Sequence, residues 1–106
     1  MYAIKVITSN NSEVETETTT VFYLAEEITY INRRYASTAD FWAQVERHSP
    51  SYQLGDSPKT DGKEAGRYVD LCIYKDGDIL KQIFVLPWAW IYIMQDGKTI
   101  EAINVK

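Results

Sequence analysis

Two Asp-Gly dipeptides, Asp76-Gly77 and Asp96-Gly97, each sit between β-prone runs, and nothing else in this chain restricts its fold as much. A two-residue turn of this composition takes positive φ at both positions, so its flanks close into a tight antiparallel hairpin. Residues 67–106 are therefore expected to form two consecutive hairpins. A straight two-residue connection sets Ile73 against Leu80, Leu71 against Gln82 and Val69 against Phe84, with Tyr74–Ile79 and Tyr68–Val85 on the other face. The second hairpin, counted the same way, sets Ile93 against Ile100 and Ile91 against Ala102, with Tyr92–Glu101 and Trp90–Ile103 opposite.

Both faces of these hairpins are apolar, and a sheet apolar on both sides needs a cover on each. One helix is clear. It opens at Ser37 or Thr38, has Asp40 in its first turn, carries Phe41, Trp42 and Val45 on one face, and stops near His48 because Pro50 disfavours helical geometry at Ser49. One helix covers one face, so the other implies a second copy of the chain, a partner protein, or a second helix over residues 25–35. There Leu24, Ile28, Ile31 and Tyr35 fit a helical stripe, but Ile28-Thr29-Tyr30-Ile31 favours a strand, which is the preferred reading.

Upstream, residues 2–8 read as a strand with Tyr2, Ile4 and Val6 on one side. Residues 13–24 read as another, whose Glu13, Glu15 and Glu17 make a solvated face or guard an edge. Residues 49–66, rich in Ser, Pro, Gly, Asp and Lys, read as a long loop, either functional or mobile. The expectation is one α+β domain spanning residues 1–106. It is a mainly antiparallel sheet of five to six strands, with a helix over about 37–48 packed on one face and two Asp-Gly hairpins at the end.

Fifteen acids against eleven bases give a net charge of −4, too weak for a DNA mimic and of the wrong sign for easy phosphate binding. The acidic excess lies in residues 1–66, with ten acids and six bases; residues 67–106 hold five of each. Lone Cys72 has no internal disulfide partner, and no run approaches a membrane span. Together with the absence of a leader pattern, this points to a reducing, cytoplasmic setting without membrane association.

Catalytic patterns are weak. His48 is the only histidine, and no metal-ligand spacing surrounds it; Cys72 with His48 lacks anything that activates the thiol. Gly62-Lys63 fails as a phosphate loop, since Gly55 is misplaced and Glu64 stands where Ser or Thr would hold magnesium. No cofactor is implied.

The most distinctive segment is Phe84-Val85-Leu86-Pro87-Trp88-Ala89-Trp90. Pro87 should break or bend the sheet, and Trp88 and Trp90 point to one side of a strand, either covering the core beneath the helix or forming a binding hot spot. With eight tyrosines, three tryptophans and three phenylalanines, aromatic residues are abundant. The leading expectation is a small protein-binding domain, an inhibitor or accessory protein acting by surface occlusion through Trp88, Trp90, Tyr92, Tyr68 and Tyr74. Small acidic proteins of this kind occur among phage antagonists of host defence and among toxin-neutralising proteins, an analogy of class alone. A second expectation is a single-stranded nucleic-acid or nucleotide binder, with tyrosines stacking on bases and Arg33, Arg34 and Lys81 meeting phosphates. A third is a small-molecule sponge or catalyst with its pocket beneath residues 49–66.

Overall fold

The computed structural model describes residues 1–11, 16–55, 58 and 64–105; the side chains of 9–11 and 16–19 are outside that description. The order is β1 (Tyr2–Asn11), β2 (Thr16–Ala25), β3 (Glu27–Tyr35), α1 (Thr38–His48), β4 (Tyr52–Leu54), β5 (Gly66–Lys75), β6 (Asp78–Val85), β7 (Ala89–Gln95) and β8 (Lys98–Val105). The strands make two four-stranded sheets, β2-β1-β7-β8 and β3-β5-β6-β4, antiparallel except where β4 runs parallel to β6. The fold is α+β, with two sheets in place of the single sheet expected. Each sheet covers one apolar face of the other, which answers much of the shortage of cover that one helix leaves.

The core between the sheets takes Ile4 and Val6 from β1, Leu71 and Ile73 from β5, Ile83 and Val85 from β6, and Ile91 and Ile93 from β7, all buried. Alternation along each strand sends the intervening residues outward. A phenol hydrogen bond bridges the sheets along each open side. Tyr30 of β3 donates to Glu101 of β8, and Tyr23 of β2 bonds Tyr52 of β4.

Asp76, Gly77, Asp96 and Gly97 all have positive φ, as the two tight turns require. The pairings beyond the turns differ from those expected. Tyr74 does face Ile79, but a bulge at Leu80 then sets Ile73 against Lys81, Leu71 against Ile83 and Val69 against Val85. A second bulge at Ile100 sets Ile93 against Glu101 and Ile91 against Ile103. The extra residue reverses the side-chain alternation. Ile83 and Val85 thereby enter the inter-sheet core, and Phe84 emerges on the outer face, beneath the helix.

The two hairpins repeat one pattern, with Leu71, Ile73, Asp76-Gly77, Ile83 and Val85 answered by Ile91, Ile93, Asp96-Gly97, Ile103 and Val105. Each takes a third strand in the same register, Ile28 facing Ile73 and Ile4 facing Ile93. The sandwich is built from two like three-stranded units, extended by β2 in one sheet and β4 in the other.

Residues 27–35 form a strand, and α1 spans 38–48. Ser37 caps the helix by accepting from the Asp40 amide at 3.2 Å, and Asp40 accepts from the Ala36 amide at 2.7 Å. At the other end Ser49 adopts the left-handed conformation and its N–H reaches the Val45 carbonyl. Phe41 and Val45 pack on Tyr68, Phe84, Leu86 and Tyr35, the outer face of the β3-β5-β6-β4 sheet. Gly66 makes room for this cluster, because a Cβ there would collide with the Tyr35 hydroxyl.

Within residues 49–66, read as loop, Tyr52–Leu54 joins the sheet as β4, so that stretch is partly ordered by pairing with Ile83–Val85. Glu13, Glu15 and the Gly62-Lys63 pair lie outside the described residues.

Candidate functional site

The helix covers one outer face. The outer face of the β2-β1-β7-β8 sheet has no covering element among the described residues, and it is apolar. Register places three rows of side chains across it: Leu24, Ala3 and Met94; Phe22, Lys5 and Tyr92; Thr20, Ile7 and Trp90. Phe22 is 57% exposed, Leu24 53% and Trp90 41%. The rows span three strands and five residues along each, roughly 10 Å by 13 Å between Cα atoms. Trp90 and Tyr92 stack with ring centroids 5.9 Å apart and planes inclined by 13°. At one end Met1, Ala3, Phe22, Leu24 and Met94 border a shallow hollow of about 340 Å³. Among the described residues Lys5, near the centre, is the one charged side chain in these rows.

Trp88 sits at the corner where the chain leaves one sheet for the other. Pro87 ends β6 as expected, and Ala89 begins β7 in the opposite sheet. Trp88 holds φ at 71°, is 62% exposed, and donates its N–H to the Val105 carbonyl at 3.0 Å. A bulky side chain in this left-handed region is strained, by about 1 kcal/mol or more. Neither tryptophan covers core beneath the helix, because Trp90 projects from the sheet the helix does not touch and Trp88 lies in the turn before it.

The other residues singled out from sequence go elsewhere. Tyr68 is 1% exposed under the helix, where its hydroxyl donates to Gln44 and its ring lies 4.5 Å from that of Phe84. It is part of the core, and burial raises the pKa of its phenol. Tyr74 is half-buried on the opposite outer face of the molecule, where its hydroxyl accepts from Thr29 at 3.5 Å. Arg33 and Arg34 separate. Arg33 donates from Nε to Asp70 on the helix side at 2.8 Å, while Arg34 pairs in register with Arg67 on the other side of the strand.

His48 packs its ring edge against Phe84 at 6.0 Å. Cys72 donates weakly to Asp70 at 3.8 Å, and burial, then the Asp70 charge, raises its thiol pKa, the reverse of what activates a nucleophile. Among the described residues no three His, Cys, Asp or Glu side chains gather as metal ligands would, and no helix is long and apolar enough to cross a membrane.

Sequence reasoning missed Phe22, Leu24 and Arg67. The signal for the first two was present: Val21, Tyr23 and Ala25 alternate with Phe22 and Leu24, so β2 is apolar on both sides. Arg67 carried no local signal, because its proximity to Arg34 depends on how β3 pairs with β5. The chain matches no protein-family model, no curated protein and no solved structure.

Proposed function

We propose that this chain is a protein-binding domain that acts by occlusion, as an inhibitor or accessory protein, through the outer face of the β2-β1-β7-β8 sheet. The observation that carries the reading is the row set Phe22, Leu24, Trp90, Tyr92 and Met94, which no described element covers. Exposed apolar patches of this kind mark interaction sites, and aromatic anchors bury large areas at little entropic cost. The chemistry of the face describes its occupant: an apolar protein surface with a carboxylate placed to meet Lys5. A second copy fits less well, since two-fold pairing about the centre of the face brings Lys5 toward its own counterpart, and among the described residues the three rows hold no acid, Asp96 lying at one end beside the hollow.

The test compares the wild-type protein with a Phe22→Ser/Trp90→Ser variant, both tagged, in recovery from a nuclease-treated native lysate. A stoichiometric protein that the wild type recovers and the variant loses, at an unchanged thermal midpoint, supports the reading. Undiminished recovery by the folded variant removes this face from the function. Sedimentation of the purified chain separates the remaining case: a dimer that the same substitutions dissociate would make the occupant a second copy.

A further inference from the structure

A second concavity lies at the open side of the sandwich, away from the apolar face. A cleft of about 410 Å³ separates β3 and β5 from β8, lined among others by Asn32, Arg34, Arg67, Val69, Ile103 and Val105. That size is in the range of small-ligand sites. Arg34 follows the alternation of Ile28 and Tyr30, and Arg67 that of Val69 and Leu71, so both side chains leave the sheet on its inter-sheet side.

Directly opposed residues on paired strands have Cβ atoms roughly 5 Å apart, and like charges there oppose folding. Arg33, one residue away, is neutralised by Asp70, but among the described residues neither Arg34 nor Arg67 has a carboxylate partner. Arg34 and Arg67, paired in register and both exposed, can turn their guanidinium forks to one phosphate or carboxylate, which accepts in a bidentate way. Val69, Ile103 and Val105 give the cleft an apolar floor beside those donors, and Asn32 adds an amide. The net charge of −4 opposes any phosphate at long range, but it opposes a polyanion, whose charges extend beyond the two arginines, more than a single small anion that both arginines can reach.

We infer that the cleft between β3, β5 and β8 binds a small organic phosphate of nucleoside-monophosphate size, its phosphate held by Arg34 and Arg67 and its apolar body resting on Ile103 and Val105. This is independent of the protein-binding face, which shares none of these residues.

The test is calorimetric titration of the full chain at low salt with the ribonucleoside 5′-monophosphates, adenosine and inorganic phosphate, repeated on Arg34→Gln and Arg67→Gln. At least one monophosphate is expected to bind, more tightly than inorganic phosphate and with no binding of adenosine. Each substitution should weaken it by about tenfold or more, the loss of one charge-assisted pair. Without ligand both variants should melt at or above the wild-type midpoint, since the like-charge pair is gone; that sign distinguishes lost binding from lost fold. No binding of any monophosphate, binding that both variants retain, equal affinity for inorganic phosphate or adenosine, or preference for a single-stranded oligonucleotide would each overturn the assignment.

Discussion

Arg33 donates from Nε to Asp70 at 2.8 Å, and Asp70, 3% exposed on the outer face of β5, also accepts from Gln82 at 2.9 Å. A carboxylate this enclosed depends on its donors, whereas the partly exposed arginine does not depend on the carboxylate. Arg33→Ala should therefore destabilise the fold by about 2 kcal/mol by leaving a buried charge short of a partner. Combined with Asp70→Asn it should cost less than the two single changes added together. Chemical denaturation of the four proteins gives the coupling directly; additive losses would mean that the pair does not act as a unit.

The bulges make an unusual prediction about deletions. Tyr74–Ile79 lies on one face and Ile73–Lys81 on the other, so removing Leu80 leaves straight alternation and the same register onward to Val85. Deleting Leu80 should cost no more than about 1 kcal/mol, despite removing a residue from a strand beside the core. Deleting Cys72 from β5 should abolish folding, because pairing with β3 and β6 shifts together there. Circular dichroism and thermal melting of the two deletions test the contrast.

Trp88 is held at a positive φ that glycine adopts freely. Trp88→Gly should leave the melting midpoint unchanged or raise it, while Trp88→Val, which is β-branched, should lower stability by about 1–2 kcal/mol. If Trp88 extends the docking face around its corner, Trp88→Gly also weakens partner recovery. A clear drop in the midpoint for glycine would show that the indole contributes packing that outweighs its backbone strain.

Two phenols give the fold an alkaline limit. Burial raises the pKa of Tyr68, and the hydrogen bond to Glu101, then burial, raises that of Tyr30. Unfolded tyrosines release their protons near about pH 10. The folded chain holds these two protons longer, so their contribution is complete below that pH and is lost as pH rises through the folded values. Stability should fall above about pH 10, less steeply in Tyr68→Phe. Ultraviolet titration of the eight tyrosines should show a late-ionising fraction that shrinks in Tyr68→Phe and Tyr30→Phe.

Local chemistry was legible where the determinants lie within a few residues of one another. Asp76-Gly77 and Asp96-Gly97 announce their turns because few other residues accept positive φ twice in succession. Ser37, Asp40 and Pro50 bracket the helix through capping and proline sterics. The uncovered apolar face was half legible: an excess of greasy strand surface over helix is a property of composition and alternation, but which surface stays bare is not.

That choice belongs to long-range pairing. Strand order sends β7 and β8 to β1 and sends β5 and β6 to β3, so that Trp90 emerges on a face that no described element covers while Tyr68, on the outer face of the other sheet, is sealed beneath the helix. A single extra residue at Leu80 and again at Ile100 reverses the side-chain alternation, and straight counting from either turn misses it. Arg67 meets Arg34 for the same reason, across a pairing that no short stretch of chain encodes. Side-chain type and spacing dictate turns, caps and strand propensity, because those energies are local. Which faces meet follows from the total burial of two sheets, and that depends on every strand at once.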